Sequence, residues 1–274
     1  MSIRALSRRL ERLEARSRSH GAQGTGLLAQ LAAAPAAVLR LAHLSPDPWQ
    51  EQLLSSTALR ILLLASRQAG KSSVAAALAL HTALVQPPAT VLVLSPSLRQ
   101  SGELFRKVVD LFSALGRPMS IAAESALRLE LSNGSRIVSL PGDEKNIRGY
   151  SGVALLIIDE AARVEDTLYY AVRPMLAVSR GRLVALSTPF GKRGWFYEAW
   201  CGDGAWQRLR IEASQCPRIR ADFLSEEEQA LGTRWFRQEY LCSFEEVADA
   251  VFAYADVQAA LSGDVQPLFD GARQ

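Results

Sequence analysis

Sulfur and imidazole are scarce in this chain. Its 274 residues include three cysteines, Cys201, Cys216 and Cys242, and three histidines, His20, His43 and His81. Without a C-x-x-C or an H-x₃₋₅-H spacing, neither a zinc framework nor a disulfide scaffold can be built. Three free thiols fit a reducing compartment. A strongly apolar run is also missing. The longest candidate, 25–44, is rich in alanine and carries Gln30, Pro35 and Arg40, whereas a membrane span needs about 20 predominantly apolar residues. It reads as a buried helix pair broken at Pro35, and no membrane partner is expected. A signal peptide is the weaker reading of the basic stretch before it.

Excess charge is missing from the body as well. The chain carries +3 overall, but residues 1–19 hold six arginines against two glutamates, a net +4, which leaves −1 for the remainder. Bulk charge therefore cannot supply nucleic-acid binding; local patches or an oligomer must. What is present is ample apolar material, 49% of residues against 22% charged, enough to bury a core and to exclude a wholly disordered chain.

Residues 3–19 predict an isolated amphipathic helix, with Ile3, Leu6, Leu10 and Leu13 in a heptad-like seam. A Ser/Gly-rich linker follows to Gly26. From Asp47 onward, short apolar runs alternate with helical stretches. Strands are expected at Ile61–Ala65, Thr90–Ser95, Val153–Asp159 and Arg182–Ser187, all reading as buried on both faces. Helices are expected over 72–84, 98–115 and 166–177. Two alternating runs around Asn133-Gly134, within 127–140, signal a hairpin. After Trp195 the pattern is mostly helical, with an acidic run at Glu226–Glu228 and an amphipathic helix near 233–243. The fold class that follows is α/β, a doubly wound, mainly parallel sheet flanked by helices, with a helical extension at each end.

Ala65-Ser-Arg-Gln-Ala-Gly-Lys-Ser72 lies between an expected strand and an expected helix. It is the phosphate-loop pattern with alanine for the first glycine. Ser66, Arg67, Gln68, Ala69, Gly70, Lys71, Ser72 and Ser73 would turn backbone N–H groups onto phosphate oxygens at the positive end of a helix. Gly70 supplies the backbone angle, Lys71 reaches the β/γ-phosphates and Ser72 ligates Mg²⁺. A second apolar strand ends in Asp159-Glu160, where strand tips face a ligand crevice. Asp159 is the candidate Mg²⁺ ligand and Glu160 the candidate general base for water. Together these imply an ATP-hydrolysing, P-loop (ASCE-type) domain with ATP and Mg²⁺ as cofactors.

Other positions stay open. Asp47-Pro48-Trp49-Gln50 starts a helix, and Gln50 either completes a capping box or reads the adenine edge. Ser187 and Thr188 end a strand and suit γ-phosphate sensing, or are ordinary strand-end hydroxyls. Arg67, Arg148 and Arg163 compete as the arginine that offsets charge on the transferring phosphoryl group. Lys192, Arg193, Arg234 and Arg237 are candidate DNA contacts, or ordinary surface charge.

Taken in order, PWQ, SRQAGKS, LLIIDEAARV, LSTPFGKRGWFYEAW and WFRQEYLCSFEE resemble the large terminase subunit of tailed bacteriophages, over about Pro48 to Phe252. The resemblance implies an ATP-driven motor that packages double-stranded DNA into a procapsid. It implies a homo-oligomeric ring, usually a pentamer, acting with a portal protein and a small terminase subunit in the cytoplasm of a bacterial host, transiently at the portal. It assigns Lys71 and Ser72 to the phosphate loop, Asp159 and Glu160 to the Mg²⁺ and water-activating pair, and 187–189 to a coupling motif. Gln50 matches its adenine contact, Arg67 its loop arginine, and Arg148 an arginine that some members present to the next subunit. The expected division is 1–26 basic helix and linker, 27–252 ATPase domain and 253–274 tail. Only 22 residues follow Phe252, too few for the nuclease domain such proteins carry, so a separately encoded nuclease is a further expected partner. The rival readings are a helicase-like remodelling ATPase, and a non-catalytic nucleotide-binding assembly module or prophage remnant.

Overall fold

A computed structural model describes residues 26–142, 147–246 and 260. The predicted helix at 3–19, the linker before Gly26 and the tail 253–274, apart from Ala260, lie outside the described residues. Eight strands form one sheet in the order β3-β4-β5-β2-β6-β7-β1-β8. They are β1 (Arg60–Ala65), β2 (Thr90–Ser95), β3 (Ile121–Ser125), β4 (Arg128–Leu131), β5 (Arg136–Pro141), β6 (Val153–Asp159), β7 (Arg182–Ser187) and β8 (Gln207–Ile211). β5, β2, β6, β7, β1 and β8 run parallel, while β3, β4 and β5 form an antiparallel meander at one edge.

The helices are α1 (26–33), α2 (Ala37–Leu41), α3 (Pro48–Ser55), α4 (Lys71–Val85), α5 (Leu98–Ala114), α6 (Asp166–Val172), α7 (Gly194–Cys201) and α8 (Ala221–Tyr240). Side chains alternate across a strand, so each parallel strand feeds two cores. In β1, Ile61, Leu63 and Ala65 face one core, with residues of α2 to α5; Leu62 and Leu64 face the other, with residues of α6 and α7. The continuous apolar runs of β1, β2, β6 and β7 follow from this burial on both faces. The α1–α2 break at Pro35 is as expected, and His81 of α4 ties the pair down through Nε2 and the Leu31 carbonyl, 3.0 Å apart. No described helix is long and apolar enough to cross a membrane.

Two readings of the sequence are corrected. The chain after Trp195 is not simply helical, because β8 adds to β1 as a parallel edge strand. Its sequence, QRLRI, is half polar since an edge strand buries less. Second, the helix expected to Ala177 stops at Val172 and continues as a 3₁₀ turn, Arg173–Leu176; Pro174 lacks the N–H that the next α-turn requires. The helix expected near 233–243 forms as the second half of α8, which is two helices. Gly232 lies at φ 73° and ψ 159° inside it, and Tyr240 Oη donates to Glu227 Oε2 at 2.7 Å. Thirteen residues of straight helix would separate those two by about 20 Å, so the chain doubles back at Gly232. At the other edge, the Asn133-Gly134 turn forms as expected: Gly134 takes φ 82° and the Asn133 side chain accepts from Ser135 N at 2.9 Å.

Candidate nucleotide site

The parallel strands β6, β7 and β1 are neighbours in the sheet, so Asp159, Ser187 and Ala65 end side by side on one edge. The strand that separates the phosphate-loop strand from the acidic strand is β7; β2 lies beyond β6. Strand spacing then puts the loop and the acidic pair about 10 Å apart at the backbone, within reach of a lysine side chain.

The loop itself runs from Ser66 to Gly70. Gln68 and Gly70 take φ 59° and 98°. Glycine suits that angle at Gly70, and a Cβ there would stand 2.8 Å from Gln50 Nε2, so the Gln50 side chain would have to shift. Ser66 N donates to the Ile211 carbonyl and Arg67 N to the Glu239 carbonyl, each at 2.9 Å. The β8 end and the second half of α8 therefore hold the start of the loop. The amides of Gln68, Gly70, Lys71 and Ser72 find no acceptor among the described residues. They form a set of free donors at the N-terminus of α4, an anion site by geometry. Ser73 N is spent on the Gly70 carbonyl at 3.2 Å. Ala69 is fully buried. Lys71 is 7% exposed and folds back, its Nζ donating to Ser66 O at 3.1 Å and Ala65 O at 3.4 Å.

Asp159 is buried, and its Oδ1 has no hydrogen-bond partner. Burial, then the adjacent Glu160 charge, pushes its pKa up to about 7, against the pull of Lys71. The lysine and the aspartate thus feel one another across the strand tips. Ser66 Oγ and Ser95 Oγ, at the tips of β1 and β2, are likewise buried without partners. Buried polar atoms are nearly always satisfied, so three orphans near one edge mark a place built for a polar ligand. Glu160 sits just outside at φ 49°. Thr188 Oγ1 donates to its Oε2 at 3.5 Å, and Ser187 Oγ accepts from Ala162 N at 3.1 Å, so the end of β7 holds the turn that carries the acid. Arg163 lies 4.0 Å from Glu160 and over the Phe190 ring. Arg148 lies on a 3₁₀ turn, Ile147–Gly149, and its side chain is outside the described residues. Arg67 is 67% exposed on its side chain and faces Glu239 at 3.7 Å.

Gln50 completes the capping box. Its Oε1 accepts from Asp47 N at 2.9 Å, the capping bond, and its Nε2 points to the Gly70 carbonyl at 3.5 Å. It lines a cavity of about 470 Å³ beside the loop, together with Leu39, Pro46, Gly70 and Arg218. Sequence reasoning missed Arg218. It grips both Asp47 carboxylate oxygens at 2.7 Å and donates to the Ala69 carbonyl at 3.0 Å. A lone arginine after a proline, 171 positions from its partner, leaves no sequence signal. Among the four candidate DNA contacts, Lys192 pairs with Glu246, Arg237 pairs with Glu245, Arg234 donates to the Glu246 carbonyl and Arg193 lies over Phe190. Their charge is engaged within the chain. Nor do the described residues contain a cluster of three or more His, Cys, Asp or Glu able to hold a metal by themselves.

The fold is similar to solved terminases. The ATPase domain of the large terminase of Thermus phage P74-26 matches with a TM-score of 0.67 at 22% identity, over 76% of this chain and 97% of that domain. The large terminase of bacteriophage HK97 matches with a TM-score of 0.60 at 17% identity, over 73% of this chain and 51% of that one. The large terminase of another thermophilic bacteriophage, solved in complex with ADP, matches with a TM-score of 0.59 at 13% identity, over 73% and 54%. This chain thus spans about half the length of those last two proteins. No curated protein matches it in sequence. A family model described as terminase large subunit, T4likevirus-type, N-terminal, matches residues 62–259, which take in the loop, the acidic pair and most of the sequence. The chain therefore belongs to the terminase large subunit family, through its N-terminal domain.

Proposed function

We propose that this chain, over 27–252, is the Mg²⁺-dependent ATPase motor of a phage terminase that drives double-stranded DNA into a procapsid. The observation that carries the reading is the pairing of free donors with orphaned acceptors across the strand tips. The amides of Gln68, Gly70, Lys71 and Ser72 have no acceptor among the described residues, and Asp159 Oδ1 has nothing to bind. Triphosphate and a divalent cation fit that pair. The thermophilic phage terminase solved with ADP has also been solved with ATP-γ-S, which suits a hydrolysing site on this fold.

Ser72 and Asp159 would hold the Mg²⁺, which when bound neutralises phosphate charge and lowers the Asp159 carboxyl back toward its ionised form. Lys71 would leave the Ser66 carbonyl for phosphate oxygens. Glu160 would orient and polarise the attacking water, held in place by Thr188. Gln50 would present its amide to the base in the cavity it lines. Arg67 lies in the loop and Arg148 on a separate 3₁₀ turn; in this reading the first would act in its own subunit and the second on the next. Ser187 and Thr188 couple the acid to β7, and Arg67 and Glu239 couple the loop to α8. Turnover would move both. The motor would act in the bacterial cytoplasm as a homo-oligomeric ring, a pentamer in this reading, on a portal protein, with a small terminase subunit and a separately encoded nuclease.

Phosphate release by the purified chain, with and without duplex DNA, tests the reading. Turnover is expected, and Glu160→Gln should cut it by about 10²–10⁴-fold, the worth of a general base, with ATP binding retained. Undiminished turnover in that variant overturns the role of Glu160. Strand separation would favour a helicase-like enzyme, and nucleotide binding with no turnover a non-catalytic module.

A further inference from the structure

Glu160 is followed by a 3₁₀ turn, Ala161–Arg163. Arg163 N donates to the Glu160 carbonyl at 2.8 Å and closes it. Side chains at i and i+3 of a 3₁₀ turn eclipse, so the turn itself brings Arg163 over Glu160. Arg163 Nε stands 4.0 Å from Glu160 Oε2. Thr188 Oγ1 donates to the same oxygen at 3.5 Å. Both contacts fall on Oε2, and Oε1 has no hydrogen bond or ion pair among the described residues.

Arg163 is itself held. Its guanidinium lies 4.0 Å from the centre of the Phe190 ring, in the segment just after Thr188. Arginine stacks on an aromatic face through its planar head, which restricts where that head can turn. A guanidinium that rests on a ring and faces a carboxylate would have to give up both to meet a phosphoryl group. Further along, the same two segments are tied again. Trp195 N donates to Asp166 Oδ1 at 2.8 Å, Trp195 Nε1 donates to the Val164 carbonyl at 3.1 Å, and the Trp195 and Tyr169 rings stack at 3.7 Å. The chain leaving β7 therefore grips the chain leaving β6, and Glu160 belongs to that grip.

We propose that Arg163 is a positioning residue for Glu160. Set by its stack on Phe190, it holds Oε2 together with Thr188, leaves Oε1 for the attacking water, and does not itself offset charge on the transferring phosphoryl group. The pair is partly open to water, with the Arg163 and Glu160 side chains 39% and 22% exposed, so it adds little to stability. What two donors on one oxygen select is the orientation of the carboxylate. The inference rests on the reading of Glu160 as the base, and it makes the aim of that base depend on the segment after β7.

Single-turnover ATP hydrolysis with the full chain in excess, beside titration with a fluorescent ATP analogue, tests it. Arg163→Ala should slow hydrolysis about tenfold, a part of the roughly 10²–10⁴-fold worth of a general base, and leave analogue affinity within about twofold. Added to Glu160→Gln, the same change should slow the residual reaction no further, because an arginine that acts through the carboxylate has nothing left to aim. Phe190→Leu should slow hydrolysis as Arg163→Ala does and add little to it, whereas Phe190→Tyr, which keeps a ring, should lose less than about threefold. A cooperative thermal transition shows that each variant is folded, with Arg163→Gln to replace the alanine variant if it lacks one. An unchanged rate in Arg163→Ala overturns the proposal. So does a further tenfold loss on the Glu160→Gln background, or weaker analogue binding by a folded Arg163→Ala, since either makes Arg163 a phosphate contact. Fully additive losses from Arg163→Ala and Phe190→Leu overturn the part given to the ring. A wild type without turnover defeats the motor reading itself, whereas a wild type that turns over with an indifferent Arg163 defeats this inference alone.

Discussion

The two halves of the nucleotide site are built on opposite terms. On the β1 side the loop is held by its own chain: Lys71 rests on the Ser66 carbonyl, Arg67 N on the Glu239 carbonyl, and Arg218 on the Ala69 carbonyl. On the β6 side Asp159 is buried with an oxygen that meets nothing. The first half has interactions to exchange for a ligand; the second has one to gain. A site divided this way keeps the folded chain stable when empty and still leaves a reason for a cation to enter. The comparison breaks if the Asp159 side proves to be satisfied, or if the loop side proves indifferent to its clasps.

The largest effect is expected at Asp159. Its folded pKa is about 7, against an ordinary 3.8. The folded state therefore binds the proton more tightly than the unfolded one. The cost of this carboxyl is absent below about pH 4, grows as pH rises and is complete above pH 7. Asp159→Asn should raise stability at pH 8 by roughly 2–4 kcal/mol in chelator, and by almost nothing at pH 4. Thermal unfolding at several pH values checks this. An unchanged gap from pH 4 to pH 8 would mean that the carboxyl is not carrying the strain.

A smaller effect is expected from the clasp. Arg218→Ala removes its two hydrogen bonds to Asp47, whose side chain is only 6% exposed, and one to the loop, leaving Asp47 the bond from Trp49 Nε1. Stability should fall by roughly 1–3 kcal/mol, the range for bonds to charged groups, the exposed half of Arg218 keeping it at the low end. If the cavity beside the loop takes the base as proposed, KM for ATP should rise more than kcat falls, because the lost contacts border that cavity and not the reacting phosphate. An equal fall in kcat with KM unchanged would place Arg218 on the chemical step instead.

Those two positions also mark where the sequence can be read and where it cannot. β1, β2, β6 and β7 are legible to within a residue, because a strand buried on both faces is apolar without interruption. Gly70, Lys71 and Asp159 are legible because their chemistry is compressed into a few consecutive residues. β3 hides because four of its five residues are exposed, and β8 because an edge strand needs only one good apolar row. The Gly232 reversal hides inside a helical pattern. Arg218 hides because its meaning comes wholly from a partner brought near by the fold. The same holds for Ser95, a strand-end serine like many others until β6 places Asp159 beside its strand. Local chemistry is written locally; the clasps around it are written in the topology.

The smallest effect separates the two kinds of clasp. Glu239 holds the loop twice: its carbonyl accepts from Arg67 N at 2.9 Å, and its carboxylate faces the Arg67 guanidinium at 3.7 Å. Glu239→Gln removes only the second. Arg67 is 67% exposed, so water and salt already screen that pair, and the change should cost less than about 1 kcal/mol. The backbone bond keeps the loop in place. The freed guanidinium loses its competing anion, so ATP should bind up to about threefold more tightly at low salt, with the gain gone at about 0.5 M salt. Titration with a fluorescent ATP analogue at the two salt concentrations measures it. A large loss of stability would show instead that the carboxylate, and not the main chain, fastens α8 to the phosphate loop.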